Sequence, residues 1–257
     1  MSARREHLNR ALLGMLPVAL AIAAWQAACA FGLVAPALLP RPGAVFGRLA
    51  AQLVNPDFLV HAWATLYRLF AGFLIALLVG VTLGLAAGVN PALERALRPL
   101  VRILAPIPKI ALYPVFILTM GFGDSSKIAL VIADAVFPIL LATLQGAAMV
   151  EPKLVWTARA AGTSPSGTIV RVILPATLPS ILTGCRIGLV VACIVVFLAE
   201  MITSTDGLGY LLVRASRSFE TVDMFVPLIA ISLLGLALNG VLAAARSRLL
   251  VGFPDEA

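Results

Sequence analysis

An all-α fold that crosses a membrane several times is predicted by three features of the sequence. Hydrophobic side chains make up 61% of the 257 residues and charged ones 12%, about half the roughly 25% charged content of a soluble domain. The chain therefore lacks the polar surface to cover a water-soluble globule. Its apolar residues gather in continuous runs rather than alternating, which excludes a membrane barrel, and an open sheet edge cannot face lipid. Six runs reach the length of about 20 residues that a helix needs to span a bilayer: 11–33, 63–88, 101–121, 127–149, 181–203 and 225–245. They predict a single transmembrane domain over residues 1–257 with six helices.

The first run follows Arg4 and Arg5, and Ala28-Cys29-Ala30 resembles a signal cleavage site. A signal peptide has an apolar region of about 7–15 residues, whereas this one runs from Ala11 to Val34 with Gln26 as its only strongly polar interruption. It is expected to stay as an uncleaved helix. Leu39-Pro40-Arg41-Pro42-Gly43 then opens a segment in which Val45, Leu49, Leu53 and Val54 have the spacing of a short amphipathic helix on the membrane surface, ended by Asn55-Pro56-Asp57. The second run carries Gly72, Ala76, Gly80, Gly84 and Gly88, every fourth residue. Small residues on one face let a neighbouring backbone approach closely, so Gly72, Gly80, Gly84 and Gly88 are expected to pack tightly against another helix, which the sequence does not identify. Glu94, Arg95, Arg98 and Arg102 mark a turn before the third run, which Pro106, Pro108 and Pro114 are expected to kink.

Residues 150–179 form the longest connection, far above the usual 4–6 residues, and connections of that size are normally functional or disordered. Here Leu154, Val155, Ala158 and Ala161 recur at helical spacing, Gly162 follows as a stop, Ser164-Pro165-Ser166 starts a further helix, and Pro175 and Pro179 are expected to close it. A helix on the membrane face, open to a partner, is the expectation. Counting Lys and Arg with the amino terminus inside puts Arg4, Arg5, Arg10, Arg95, Arg98, Arg102, Lys153, Arg159, Arg171, Arg246 and Arg248 on the inner side, against Arg41, Arg48, Lys127, Arg214 and Arg217 outside. Both termini are therefore expected in the cytoplasm. The net charge of +7 is scattered over loops, so no nucleic-acid-binding stripe is expected.

Charges inside the runs cost about 2.5–3.5 kcal/mol each at the bilayer centre and need partners or water. Asp134, midway along the fourth run, admits two readings: a group lining a solute path, or an ion pair or hydrogen bond that fixes packing. Glu200, at the outer end of the fifth run, is an outer gate residue or an interfacial carboxylate. Arg186 is expected to snorkel to the interface, and Lys109 is ambiguous. Catalytic motifs are missing. The nearest approach to a phosphate-binding loop, Gly121-Phe122-Gly123-Asp124-Ser125-Ser126-Lys127-Ile128, has Ser126 where glycine is needed and Ile128 where a hydroxyl is needed. His7 and His61 are the only histidines and no G-x-S-x-G elbow occurs. Cys29, Cys185 and Cys193 have no metal spacing, and Cys185 and Cys193 lie too far apart along a helix to bridge.

The ordered set Leu39-Pro40-Arg41-Pro42, Thr65-Leu66-Tyr67-Arg68 with Gly72-Phe73, Ile107-Pro108 with Pro114 and Gly121-Phe122-Gly123, Phe137-Pro138-Ile139, Gly146, Ala158-Arg159 with Gly162, Leu174-Pro175 with Leu178-Pro179, Ala199-Glu200 and Gly207-Leu208-Gly209 resembles the membrane-spanning permease of binding-protein-dependent ABC importers, the nitrate, sulfonate and taurine group. The resemblance implies a type I, MetI-like permease fold in a bacterial inner membrane and import of a small oxyanion or related organic solute. It implies a second permease copy, two ATP-binding cassette subunits that carry ATP and magnesium, and an extracytoplasmic solute-binding protein, with lipid around the chain and no cofactor bound by it. It further implies that Trp156, Thr157, Ala158, Arg159, Ala160, Ala161 and Gly162 form a coupling helix that docks on the ATPase. Trp156 departs from the family, many of whose members carry an acidic residue there. The alternative is a secondary transporter driven by an ion gradient, with Asp134 and Glu200 as proton or sodium sites. A non-transporting membrane scaffold is a third reading, one that would tolerate loss of the inner helix motif.

Overall fold

The computed structural model describes residues 2–250, with side chains from Leu16 onward. Every regular element among them is helical: α1 (Ser2–Ala30), α2 (Pro42–Gln52), α3 (Pro56–Val89), α4 (Pro91–Leu104), a 3-10 turn (Lys109–Leu112) leading into α5 (Tyr113–Met120), α6 (Asp124–Ala148), α7 (Pro152–Ala160), α8 (Pro165–Thr168), a π turn (Ile169–Ile173) leading into α9 (Leu174–Thr203), α10 (Leu208–Arg217) and α11 (Thr221–Leu249). Four stretches are long and apolar enough to cross a membrane: α3, α6, the continuous helix Pro165–Thr203 and α11. The apolar part of α1 among the described side chains, Leu16–Ala30, is shorter than a span.

Proline sets many of the helix starts, where its missing N–H costs nothing. Pro91 follows Asn90, whose side chain accepts the N–H groups of Ala92 and Leu93, and Pro165 follows Ser164, whose hydroxyl accepts from Gly167.

The third run departs from the single kinked span expected over 101–121. Pro91–Leu104 and Lys109–Met120 together are apolar enough to cross, but they meet at an 83° bend. Pro106 and Pro108 lie in the break, where missing donors and the restricted residue before each proline prevent a continuous helix. Arg95, Arg98 and Arg102, expected to mark a turn, belong to α4 instead. The expected stop at Pro175 and Pro179 is also overturned, because Pro165–Thr203 is one helix. The π turn just before Pro175 shifts the bonding register where proline cannot donate, and such bulges let a helix continue. The connection expected over 150–179 thus shrinks to α7 and the turn that follows it.

Two compact units emerge from the packing. One comprises Met1–Leu59 with Leu211–Ala230. In it the Trp25 indole donates to Pro40 O at 2.9 Å and its ring lies 5.6 Å from Phe225, while Arg48 on α2 forms an ion pair with Asp223.

The other comprises Val60–Tyr210 and the chain from Ile231, and its core runs through Leu69, Tyr113, Leu130, Ala135, Ile139, Ala192 and Val196. Glycines set its helix spacing. A Cβ on Gly72 would meet Val131 at 2.6 Å, on Gly80 Ile139 at 2.9 Å, on Gly84 Thr143 at 2.6 Å and on Gly88 Ala147 at 2.4 Å. The partners advance in step with the glycines, so α3 and α6 run parallel with their backbones in close contact. From the other side, Gly146 faces Ser180, Gly184 faces Ala142 and Gly188 faces Ile139. These partners descend as the glycines rise, so α9 runs antiparallel to α6. The three helices form one interlocked block, with Arg68, Asp124 and Glu200 at one end and α7 at the other.

Candidate functional site

His61, Thr65 and Arg68 recur at helical spacing on one face of α3. Arg68 is almost fully buried and uses all three guanidinium nitrogens. Its Nε donates to Asp124 at 2.6 Å, one terminal nitrogen donates to Glu200 at 2.8 Å and to the Asp206 carbonyl at 3.2 Å, and the other donates to the Asp206 carboxylate. Glu200 is fully enclosed, and it also accepts from the Thr65 hydroxyl at 2.8 Å and the Gly209 N–H at 3.1 Å. The Gly207 N–H donates to His61 Nδ1 and the Leu208 N–H to Thr65 Oγ1. The first N–H groups of α10, which no helix can satisfy internally, are thus taken up by side chains of α3 and α9.

Glycine is required at this crossing. Gly207 has φ +103, and a Cβ there would lie 2.3 Å from the Glu200 carboxyl carbon. A Cβ on Gly209 would lie 2.3 Å from Phe197 O. Beside the cluster, the buried Lys127 ammonium donates to the carbonyls of Phe122 and Gly123 at 2.7 and 3.1 Å and closes the turn before α6. Burial works to raise the Asp206 carboxyl, but the hydrogen bond and charge of Arg68, with the Ser204 hydroxyl, outweigh it and hold the group below its usual range.

Asp134 stands apart from this cluster. Its carboxylate is 3.5 Å from the Lys109 ammonium, which donates to Ala105 O at 2.8 Å and lies 4.4 Å above the Phe137 ring. A cation and an anion therefore meet beside the break in the third run. The pairing was not legible in the sequence, which left Lys109 ambiguous. Arg68 stood in a quoted motif without a role. Thr65, Glu200, Gly207 and Gly209 lie in the motifs that carry the family resemblance, whereas Asp206, which accepts from two of the Arg68 nitrogens, lies in none of them.

At the opposite end of the block, α7 carries Trp156, Thr157, Ala158, Arg159 and Ala160. None of its residues is buried. Val155 packs against the small core of Leu85, Ala147 and Ile173, whereas Trp156 is 66% exposed and Leu154 48%. Gly162 has φ +85, its N–H donates to Arg159 O and the Thr163 N–H donates to Ala158 O. This paired pattern is the Schellman ending, and the left-handed position in it favours glycine. The protein thus presents a sharply stopped helix with an exposed aromatic side chain.

A polytopic helical membrane protein with an externally accessible helix, and without hydrolytic or phosphate-binding motifs, is the class this fold and site define. Residues 76–250 match the family described as "binding-protein-dependent transport system inner membrane component". The chain belongs to that family. It is 33% identical over 222 residues to the aliphatic sulfonates transport permease SsuC of Bacillus subtilis, covering 86% of this chain and 80% of that protein. The taurine transport system permease TauC of Escherichia coli is 30% identical over 242 residues, 92% of this chain and 87% of its own. The formylaminopyrimidine transport permease ThiX of Halalkalibacterium halodurans is 33% identical over 201 residues, 78% of this chain and 80% of its own. Among solved structures, an inward-facing conformation of the MetNI methionine ABC transporter superposes with a TM-score of 0.66 at 20% identity, covering 76% of this chain and 98% of that one, which is a likeness of fold. The protein is a multi-pass inner-membrane permease of an ATP-driven importer. It is not itself an enzyme, and ATP hydrolysis lies in a separate subunit.

Proposed function

We propose that the chain pairs with a second copy of itself to form the path for a small oxyanion or sulfonate-like solute, delivered by a soluble binding protein. Both termini face the cytoplasm, as the distribution of Lys and Arg indicates. Residues Trp156–Gly162 dock into a groove of the ATP-binding subunit, which carries ATP and magnesium. The observation that carries this reading is α7 itself: without a single buried residue, stopped sharply at Gly162 and anchored to the helix block through Val155. Trp156 supplies an aromatic anchor for an apolar groove in place of an acidic contact. Sulfonate and taurine in the names of two relatives support the solute class.

When two ATPases close on ATP, they draw two copies of α7 together. Because α3, α6 and α9 interlock through glycines, the displacement passes along them as a rigid-body movement. Arg68 and Glu200 tie the far ends of these helices together, so Glu200 serves the outer gate as an anchor and does not touch the solute. Asp134 on α6 and Lys109 beside the bend in the third run are the charged pair that would line the path. A proton or sodium site at Asp134 or Glu200 loses support, since each carboxylate is already paired with a cation.

Gly162→Asp and Arg159→Glu test the coupling role in vesicles containing the whole importer. Both variants should insert normally and abolish uptake. Normal uptake by either would show that α7 does not transmit the stroke.

A further inference from the structure

We infer that the cavity between α4 and α6 holds one anionic phospholipid, with its phosphate on Arg98 and Arg102 and an acyl chain along the apolar wall. The cavity is open on one side and has a volume of about 520 Å³, within the range of roughly 300–1,000 Å³ typical of small-molecule sites. Glu94, Arg98 and Arg102 follow one another at intervals of four on α4, so all three face it. Glu94 pairs with Arg98. Arg102 has no carboxylate partner among the described residues. The lining therefore carries one uncompensated positive charge, the complement of a singly charged phosphodiester, and a guanidinium fork suits phosphate oxygens.

Val101 on α4 and Leu141 and Leu144 on α6 make the rest of the lining apolar apart from Gln145, and such a surface offers a free hydrated ion little to replace its water. Away from the cavity, α4 carries exposed Leu100, Ile103 and Leu104 on its other face. The 83° bend turns α4 away from the direction of α5. An amphipathic helix so placed suits the boundary between head groups and acyl chains, and basic pockets between membrane helices recognise anionic head groups.

The test is native mass spectrometry of the full chain in neutral detergent, with dioleoyl phosphatidylglycerol, dioleoyl phosphatidylcholine or inorganic phosphate added. One phosphatidylglycerol per chain should be retained, at least tenfold more strongly than phosphatidylcholine. Arg98→Gln with Arg102→Gln should lose that preference, and Arg95→Gln, on the same helix outside the lining, should keep it. Leu141→Trp, which fills the cavity and leaves both arginines, should also lose the lipid. Unchanged circular dichroism confirms that these variants are folded. Four results would overturn the assignment: equal retention of the two lipids, phosphatidylglycerol kept by the double variant or by Leu141→Trp, displacement by millimolar phosphate, or a dimer that excludes lipid and dissociates in the double variant. The third would mark a free-anion site and the fourth an interface between two copies.

Discussion

Replacing Arg68 by Met removes the guanidinium that three carboxylates share. The Arg68 and Glu200 side chains are 3% and 0% exposed and their ion pair spans 2.8 Å, so the variant leaves a carboxylate enclosed with only Thr65 and Gly209 as donors. Breaking one partner of a buried pair costs about 3–5 kcal/mol. For a chain of this size 1 kcal/mol moves the melting temperature by about 2–4 °C, so Arg68→Met should melt about 6–20 °C lower when followed by tryptophan fluorescence in detergent. Arg48→Met breaks a half-exposed pair with Asp223 and should cost about 1 kcal/mol or less. Adding Glu200→Gln to Arg68→Met removes the stranded charge, so the double variant should be more stable than the sum of the single losses by about 1 kcal/mol or more. An Arg68→Met loss no larger than that of Arg48→Met, or losses that simply add, would refute the buried hub.

Four further outcomes follow from other parts of the fold. Trp156→Ala should leave the melting temperature within the small range of a surface change, yet weaken ATPase association by about 2 kcal/mol, roughly 30-fold, in a pull-down titration. Gly84→Ala should destabilise by about 1–3 kcal/mol, because its Cβ meets Thr143 at 2.6 Å and Leu140 O at 2.9 Å. Gly47→Ala, with open space around it, should instead stabilise α2 by about 0.5–1 kcal/mol. The pKa of Asp206 is depressed in the folded protein, so its contribution is complete above the unfolded value of about 4 and is lost as pH falls toward the folded value. The gap in melting temperature between wild type and Asp206→Asn should therefore be full at pH 7 and begin to narrow only below about pH 4.

Local features were legible in the sequence wherever a single helix determines them. The four-residue spacing of small residues marked a close helix contact, and Gly162 marked a helix end, because both depend on neighbours along the chain. That α6 is the partner of the glycine face was not legible, since no residue of α3 encodes which helix comes opposite. The Arg68 cluster was hidden for the same reason: Thr65 and Glu200 are brought together only by the fold. Prolines misled in both directions. Pro175 read as a stop because the rule for a missing donor ignores the π turn that accommodates it. Pro106 and Pro108 read as a kink within a span, whereas together they turn the chain through 83° and leave α4 as an amphipathic element of its own.

The central claim is that an ATPase on a separate chain moves this one through α7. Solute flux into proteoliposomes measures it directly, with the permease alone under a proton or sodium gradient and then with the ATP-binding subunit and ATP. No accumulation is expected in the first case, ATP-dependent accumulation in the second, and none in the second when Gly162→Asp is present. Gradient-driven accumulation by the permease alone would contradict it.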